Sequence, residues 1–385
     1  MEHRCLLAHP GNLSPAWPAA PTSRPQARRG VGSPQAGAPG RTEAVACDEP
    51  LPMTSTDPSP LTLTARSPED LLALAPVVLG FFPTESVVML TFGAAVPFHA
   101  RVDLPDDAGG VAHLVDALVA PAVHHDVHQV VLLVYGSDPA LSRRVWHGLR
   151  QGFARCGIGV IEALRVAEER WYPLRGPDQL ARRTGVPYDI SAHPFLVRAV
   201  VDGRVTHGSR DALAATLAPD ADAVRRTEAL ARDSAAPQDL PAGELLAEGL
   251  WLESVLTEHL ERGVIPDDPT LARVLVDLTH LGLRDAAWST VSRETSRAAV
   301  ALWTRAVSTC PERLVAAPAA LLAWSAWLHG NGALAWCGVD LCEEADPGYG
   351  LARIVAELLE AAHPPSTWCE SIDWKASLDQ PSRAG

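Results

Sequence analysis

The spacing of hydrophobic positions changes character once along the chain, near residue 209. Ahead of that point, short apolar runs alternate with helical spacings. SVVMLTF (Ser86–Phe92) is an uninterrupted apolar run of strand length, as expected of a strand buried on both faces. VPFHARVDL (Val96–Leu104) follows closely enough to be its hairpin partner. HQVVLLVYG (His128–Gly136) and IGVIEALRV (Ile158–Val166) predict two more strands, and LTLTA at 61–65 a short one at the start.

Between the strands, GGVAHLVDALV (Gly109–Val119) and PALSRRVWHGLRQGFARCG (Pro139–Gly157) space their apolar residues for helices. Ser67-Pro68-Glu69-Asp70 opens an earlier helix, with Ser as N-cap, Pro at the first helical position and acids facing the positive helix end. Asp138 caps the 139–157 helix and Gly157 ends it. Residues 58–208 are therefore expected to form an α/β domain, a mixed sheet with flanking helices. From Trp171 to His207 prolines and glycines loosen the pattern, and HPFLVRAVVDGRV is helical in its first half.

Beyond residue 209 strand signals stop. Helices are predicted at 209–217, 220–234, 242–262, 268–281, 292–309, 316–329, 333–345 and 347–361, an all-α half over 209–371. Two of them share a spacing of small and large residues. Ala299-x3-Trp303-x2-Ala306-x4-Pro311 matches Ala335-x3-Val339-x2-Cys342-x4-Pro347, the prolines lying 36 positions apart. This resembles the second helix of a tetratricopeptide repeat, whose period is about 34 residues. The Trp and Gly-Tyr of that repeat's first helix are missing. Two amphipathic hairpins that simply pack together give the same spacing. The expectation is a helical-hairpin, tetratricopeptide-like half.

The ends have neither period. Residues 1–57 are rich in Pro, Gly, Ala, Ser and Arg and are expected to be disordered, because they cannot bury enough apolar surface to offset ordering. Met53 is an alternative start to Met1. Residues 372–385 are expected to be a flexible tail.

Composition changes the picture in three places. A single Lys among 32 basic residues, with abundant Ala, points to a high-GC genome. The net charge of −14, with no basic face in the pattern, disfavours nucleic-acid binding. The cysteines (Cys5, Cys47, Cys156, Cys310, Cys337, Cys342 and Cys369) are scattered, odd in number and without a CxxC, which fits reduced thiols. MEHRCLLAHPGNL lacks the apolar core of a signal peptide, and no apolar run spans a bilayer, so a cytoplasmic protein without membrane contact is expected.

SPEDLLALAPVVLGFFPTESVVML, ARVDLP, GNGALAW, DPGYGLARIVAELL and PPSTW together resemble an actinobacterial family known as domain of unknown function 4192, over about residues 58–370. The resemblance implies two halves that belong together and a cytoplasmic actinobacterial protein. It implies no activity. Many members of the family carry a cysteine-rich stretch ending in Pro-x-x-Gly after the Trp-containing strand. Here the corresponding RWYPLRGPDQLARRTGVPYDIS has no Cys, so a metal or redox role does not carry over.

Candidate chemistry is sparse. No GxGxxG, GxxxxGK[ST] or GxSxG occurs, and no catalytic residue or cofactor is assigned. In open α/β sheets ligands sit at the carboxyl ends of strands. The candidate ligand-binding residues are therefore Asp103, Tyr135, Ser137, Asp138 and Arg143. Asp138 is also explained as the N-cap, Asp103 as a half-buried partner of Arg101 or of another Arg, and Asp106 or Asp107 as a cap of the next helix. HHDVH (His124–His128) has zinc-ligand residue types, but a solvated loop before a strand explains it as well. Trp288, Trp303, Trp324, Trp327 and Trp336 have the spacing of a helical core. These observations favour a non-enzymatic protein-interaction or scaffolding module with an unidentified protein partner. The alternative is an enzyme or small-ligand sensor with its pocket at the strand ends.

Overall fold

In the computed structural model the described residues are 4–8, 64–94, 98–107, 109–232, 234, 237–368 and 372–378. Most of the expectation for residues 1–57 thus lies outside the described residues. Within it, β1 (Arg4–Ala8) is a strand. The remaining strands are β2 (Ser86–Phe92), β3 (Phe98–Asp103), β4 (Gln129–Tyr135), β5 (Gly159–Ala167), β6 (Arg170–Pro173) and β7 (Val186–Pro187). The sheet order is β1-β3-β2-β4-β5-β6-β7. β2 pairs antiparallel with both β3 and β4, whereas β4 and β5 are parallel. That parallel pair needs a crossover, which α3 (Pro139–Arg155) supplies. The predicted LTLTA strand is not seen: Thr64 and Ala65 are irregular, and 61–63 lie outside the described residues.

Every residue of β2 is buried, as its apolar run demands. Alternate residues face different layers. Val87, Met89, Val130, Leu132 and Val134 pack with α2 (Val111–His124) and α3. Val88, Leu90, Val131 and Leu133 join a second core that includes α1 (Pro68–Leu79) and most of the helical half. The change at residue 209 therefore separates sheet from helices along the chain, while the core runs through both.

α1 begins as its sequence predicts. Ser67 Oγ accepts from the Asp70 amide at 3.1 Å, Asp70 Oδ2 accepts back from the Ser67 amide at 3.1 Å, and Pro68 occupies the first turn. α4 (Gln179–Thr184) and α5 (Pro194–Val201) complete the sheet half.

The helical half comprises α6 (Arg210–Ala214), α7 (Ala221–Arg232), α8 (Ala242–Arg262), α9 (Asp268–Asp277), α10 (Leu281–Ser289), α11 (Ser296–Thr309), α12 (Ala316–Leu328), α13 (Gly332–Ala345) and α14 (Gly350–Glu360). The sequence expectation misses α10 because its N-cap is His280, whose Nδ1 accepts from the Gly282 amide at 3.2 Å. α12 is apolar all round and buried from Ala317 to Leu328. It forms a hairpin with α13 and also packs on α11 and α14. All six small and large positions of the repeat-like spacing are buried. Gly338 marks the closest approach: a Cβ there would stand 2.9 Å from Ala319 O and 2.9 Å from Ala323 N. Residues 372–378 do not form a loose tail. Trp374 is only 2% exposed and lies against Gly249 of α8, where a Cβ would sit 2.3 Å from its ring.

Candidate functional site

The sheet brings four of the five candidate residues to one end. Ser86 stands opposite Asp103 on one side and Tyr135 on the other. Directly opposed residues share a face, so these three point toward the face that carries α1. Ser137 and Asp138 follow in the turn into α3. Arg143 is exposed on α3 and belongs to that helix surface.

Their polar groups are largely engaged with each other and with the backbone. Arg101, 4% exposed, donates from Nη2 to Asp103 Oδ1 and, at 3.4 Å, to Thr84 O. Its guanidinium lies 5.5 Å from the Phe81 ring centroid. The Ser137 amide donates to Glu85 Oε1 at 3.0 Å, and Glu85 takes a left-handed φ of 37° to reach it. Asp138 Oδ1 accepts from the Ala140 amide at 2.7 Å, the N-cap bond its sequence position predicts. Burial pushes the Tyr135 phenol well above its ordinary value, with the neighbouring Tyr188 adding to the effect. On the opposite face Arg165 donates to Gly136 O at 3.2 Å and stacks 3.9 Å from the Tyr172 ring. A Cβ on Gly136 would meet Leu104 Cδ1 at 2.7 Å, so apolar packing closes that side. What remains unpartnered is Arg101 Nε, Arg101 Nη1 and Ser86 Oγ. Sequence reasoning does not select Glu85, Ser86, Arg101 or Arg165 as site residues. No local motif marks them, and the sheet register alone brings them together.

HHDVH is split by the fold. His124 ends α2, His125 is its C-cap, and Asp126 has φ 50°. His125 Nε2 lies 2.8 Å from Ala361 O, and His128 Nδ1 lies 2.6 Å from Gly93 O, so backbone carbonyls take both rings. Asp107 Oδ1 accepts from the Gly109 and Gly110 amides just ahead of α2. The tryptophans are core: the Trp324 ring lies 5.1 Å from Trp288, 5.1 Å from Trp327 and 4.7 Å from Trp368.

A different surface is left uncovered on α5. His193 caps it through Nδ1, which accepts from the Phe195 amide at 3.2 Å. Nε2 must then carry the proton it directs to Asp70 Oδ1 at 3.0 Å. The inner side of α5, Leu196 and Ala199, packs on Val77. On the outer side Val197, Val200 and Val201 are 51%, 69% and 73% exposed, and Val205 just beyond is 70% exposed. Burying four such side chains would contribute about 1.5–3 kcal/mol each. The outer side of α5 is thus an exposed apolar ridge.

A family model described as a domain of unknown function, DUF4192, matches residues 68–366. The chain belongs to the DUF4192 family. The match spans the sheet half and the helical half, including the strand ends, α5 and the α12–α13 hairpin. No curated protein and no solved structure matches this DUF4192 chain. Among the described residues, no helix is long and apolar enough to cross a membrane.

Proposed function

We propose that this DUF4192 chain is a non-enzymatic protein-interaction module of the actinobacterial cytoplasm, using neither nucleic acid nor membrane as its partner. The observation that carries the reading is the valine ridge of α5. A helix anchored at its cap and on its inner side presents apolar residues at i, i+3 and i+4, the pattern by which helices dock. The strand-end residues support it indirectly, since most of their polar groups are already engaged within the fold. Val200→Asp should leave the fold intact, because the side chain is exposed, and should abolish partner capture. Crosslinking from Val201 in cells, compared between Val200→Asp and the unaltered chain, tests this. An unchanged set of crosslinked products would count against the reading.

The small-ligand reading keeps one specific support, the two unpartnered guanidinium nitrogens of buried Arg101, Nε and Nη1, together with the unpartnered Ser86 hydroxyl. An anion is the ligand they suit. A thermal-shift series with phosphate, carboxylates and nucleotides, repeated on Arg101→Gln and Ser86→Ala, tests it. A saturable shift lost in both variants would favour this reading.

A further inference from the structure

α8 carries a glycine well inside it, where glycine weakens a helix. What Gly249 provides is depth. A Cβ there would lie 2.3 Å from Trp374 Cζ3 and 2.4 Å from Trp374 Cη2, so the indole rests on the bare backbone of α8. Gly282, in the first turn of α10, receives a second side chain in the same way. A Cβ there would lie 2.7 Å from Leu378 Cδ2. α8 and α10 pack on each other, and the turn Trp374–Ser377 lies across them.

The turn is built like a bound peptide. Its two anchors, Trp374 and Leu378, stand four residues apart. Trp374 is buried and Leu378 half-buried, whereas Asp373, Lys375 and Ala376 are exposed. The Leu378 amide closes the turn on Lys375 O at 3.3 Å. A short helical turn that sinks a few apolar anchors and leaves its other residues in water is a recurring way for a peptide to fill a groove. The groove and its occupant also differ in their place in the chain. Gly249 and Gly282 lie within the family-matched residues, and Trp374 and Leu378 lie beyond their end at 366. Residues 368–373 tether the turn to Pro365–Thr367. A segment on so short a tether meets its own groove at about millimolar effective concentration, so it fills the groove unless a competitor displaces it.

We infer that the α8–α10 groove is a docking site for a partner's peptide turn bearing Trp and Leu four residues apart, and that residues 374–378 occupy it until such a turn displaces them. The groove is made by other helices than α5, so the inference goes beyond the valine ridge and stands without it.

Lys375 is the single lysine of the chain, so a lysine-specific endoproteinase cuts only within this turn. A docked turn resists cleavage, and the rate of cutting follows the population of the released form. The test digests the full folded chain with and without a synthetic peptide of residues 372–380, IDWKASLDQ, carrying Lys375→Arg so that the probe itself is not cut. Saturating peptide should speed cleavage at Lys375 at least about tenfold. The same peptide with Trp374→Ala added should have no effect. The cut chain should keep its cooperative melting transition, since the groove is released and not the fold. Gly249→Ala in the chain, which puts a methyl where the indole rests, should speed cleavage at least about tenfold with no peptide present and abolish the response to peptide. Cleavage that the peptide does not accelerate overturns the inference. So does acceleration by the Trp374→Ala peptide as well, or a cut chain that unfolds, which would make the turn an ordinary part of the core. These readouts on the unaltered chain decide the matter whether or not Gly249→Ala folds.

Discussion

Asp277 shows at the level of one residue how burial rewrites chemistry. It is 4% exposed, and its Oδ2 has no hydrogen-bond partner. Burial first, then the neighbouring Glu248, push its carboxyl up to about 8 from the ordinary 3.8, against the opposing pull of Arg273. An acid raised in the folded state contributes most at low pH and loses that contribution as pH rises from about 4 to about 8. Asp277→Asn should remove this dependence and stabilise the protein at about pH 8 by about 1–3 kcal/mol, read from urea midpoints across pH. His125 and His280 have the opposite sign. Burial lowers both from 6.5, and His124 and His363 add to the effect on His125. A histidine held neutral in the fold stabilises fully above about pH 6.5 and progressively less below it. The melting temperature should fall as pH drops from about 7 toward about 5, and His280→Asn, which keeps a capping acceptor, should flatten that fall. Roles carried by near neighbours were readable in the sequence: Asp138 as cap, and Asp103 as the partner of an arginine, which the structure shows to be Arg101. Roles carried by distant ones were not. Glu85 meets the Ser137 amide across 52 positions, and only the register of the sheet makes that pairing visible.

Among the elements, period and caps decided what could be foreseen. The apolar runs of β2, β4 and β5 and the Ser-Pro-x-Asp start of α1 have one physical solution each. α5 and α10 start with histidine caps, which lie outside the usual Ser, Thr, Asp and Asn set; α10 was missed, whereas the apolar spacing of α5 still announced a helix. β7, two residues ending in Pro187, carries no period at all. Ser67→Ala should cost about 1 kcal/mol by removing one half of a capping box, measurable in chemical denaturation. The repeat-like spacing correctly marked buried positions on α11 and α13, but the tightest contact falls on Gly338, between the marked residues. Gly338→Ala drives a methyl against the α12 backbone, which cannot yield as a side chain can. A loss of about 1–3 kcal/mol is expected, seen as a lower urea midpoint with an unchanged slope.

At the scale of the molecule, the two halves foreseen from the change in hydrophobic period are real as architecture, and one core serves both. Leu133 of β4 and Leu321 of α12 belong to the same buried cluster. Residues 58–208 expressed alone would keep α1 over Val88, Leu90, Val131 and Leu133 but lose the helical half of that core. Such a fragment should aggregate or bind the dye ANS, whereas residues 58–378 should melt in a single cooperative transition.

That shared core also bears on how the chain can be inherited. A sheet that depends on the helices behind it cannot be lent to another protein by recombination at residue 209, because the donated piece arrives with α1 as only part of the cover of that side. Lineages that kept one half without the other would have lost both. Selection then acts on the whole stretch as a single heritable block.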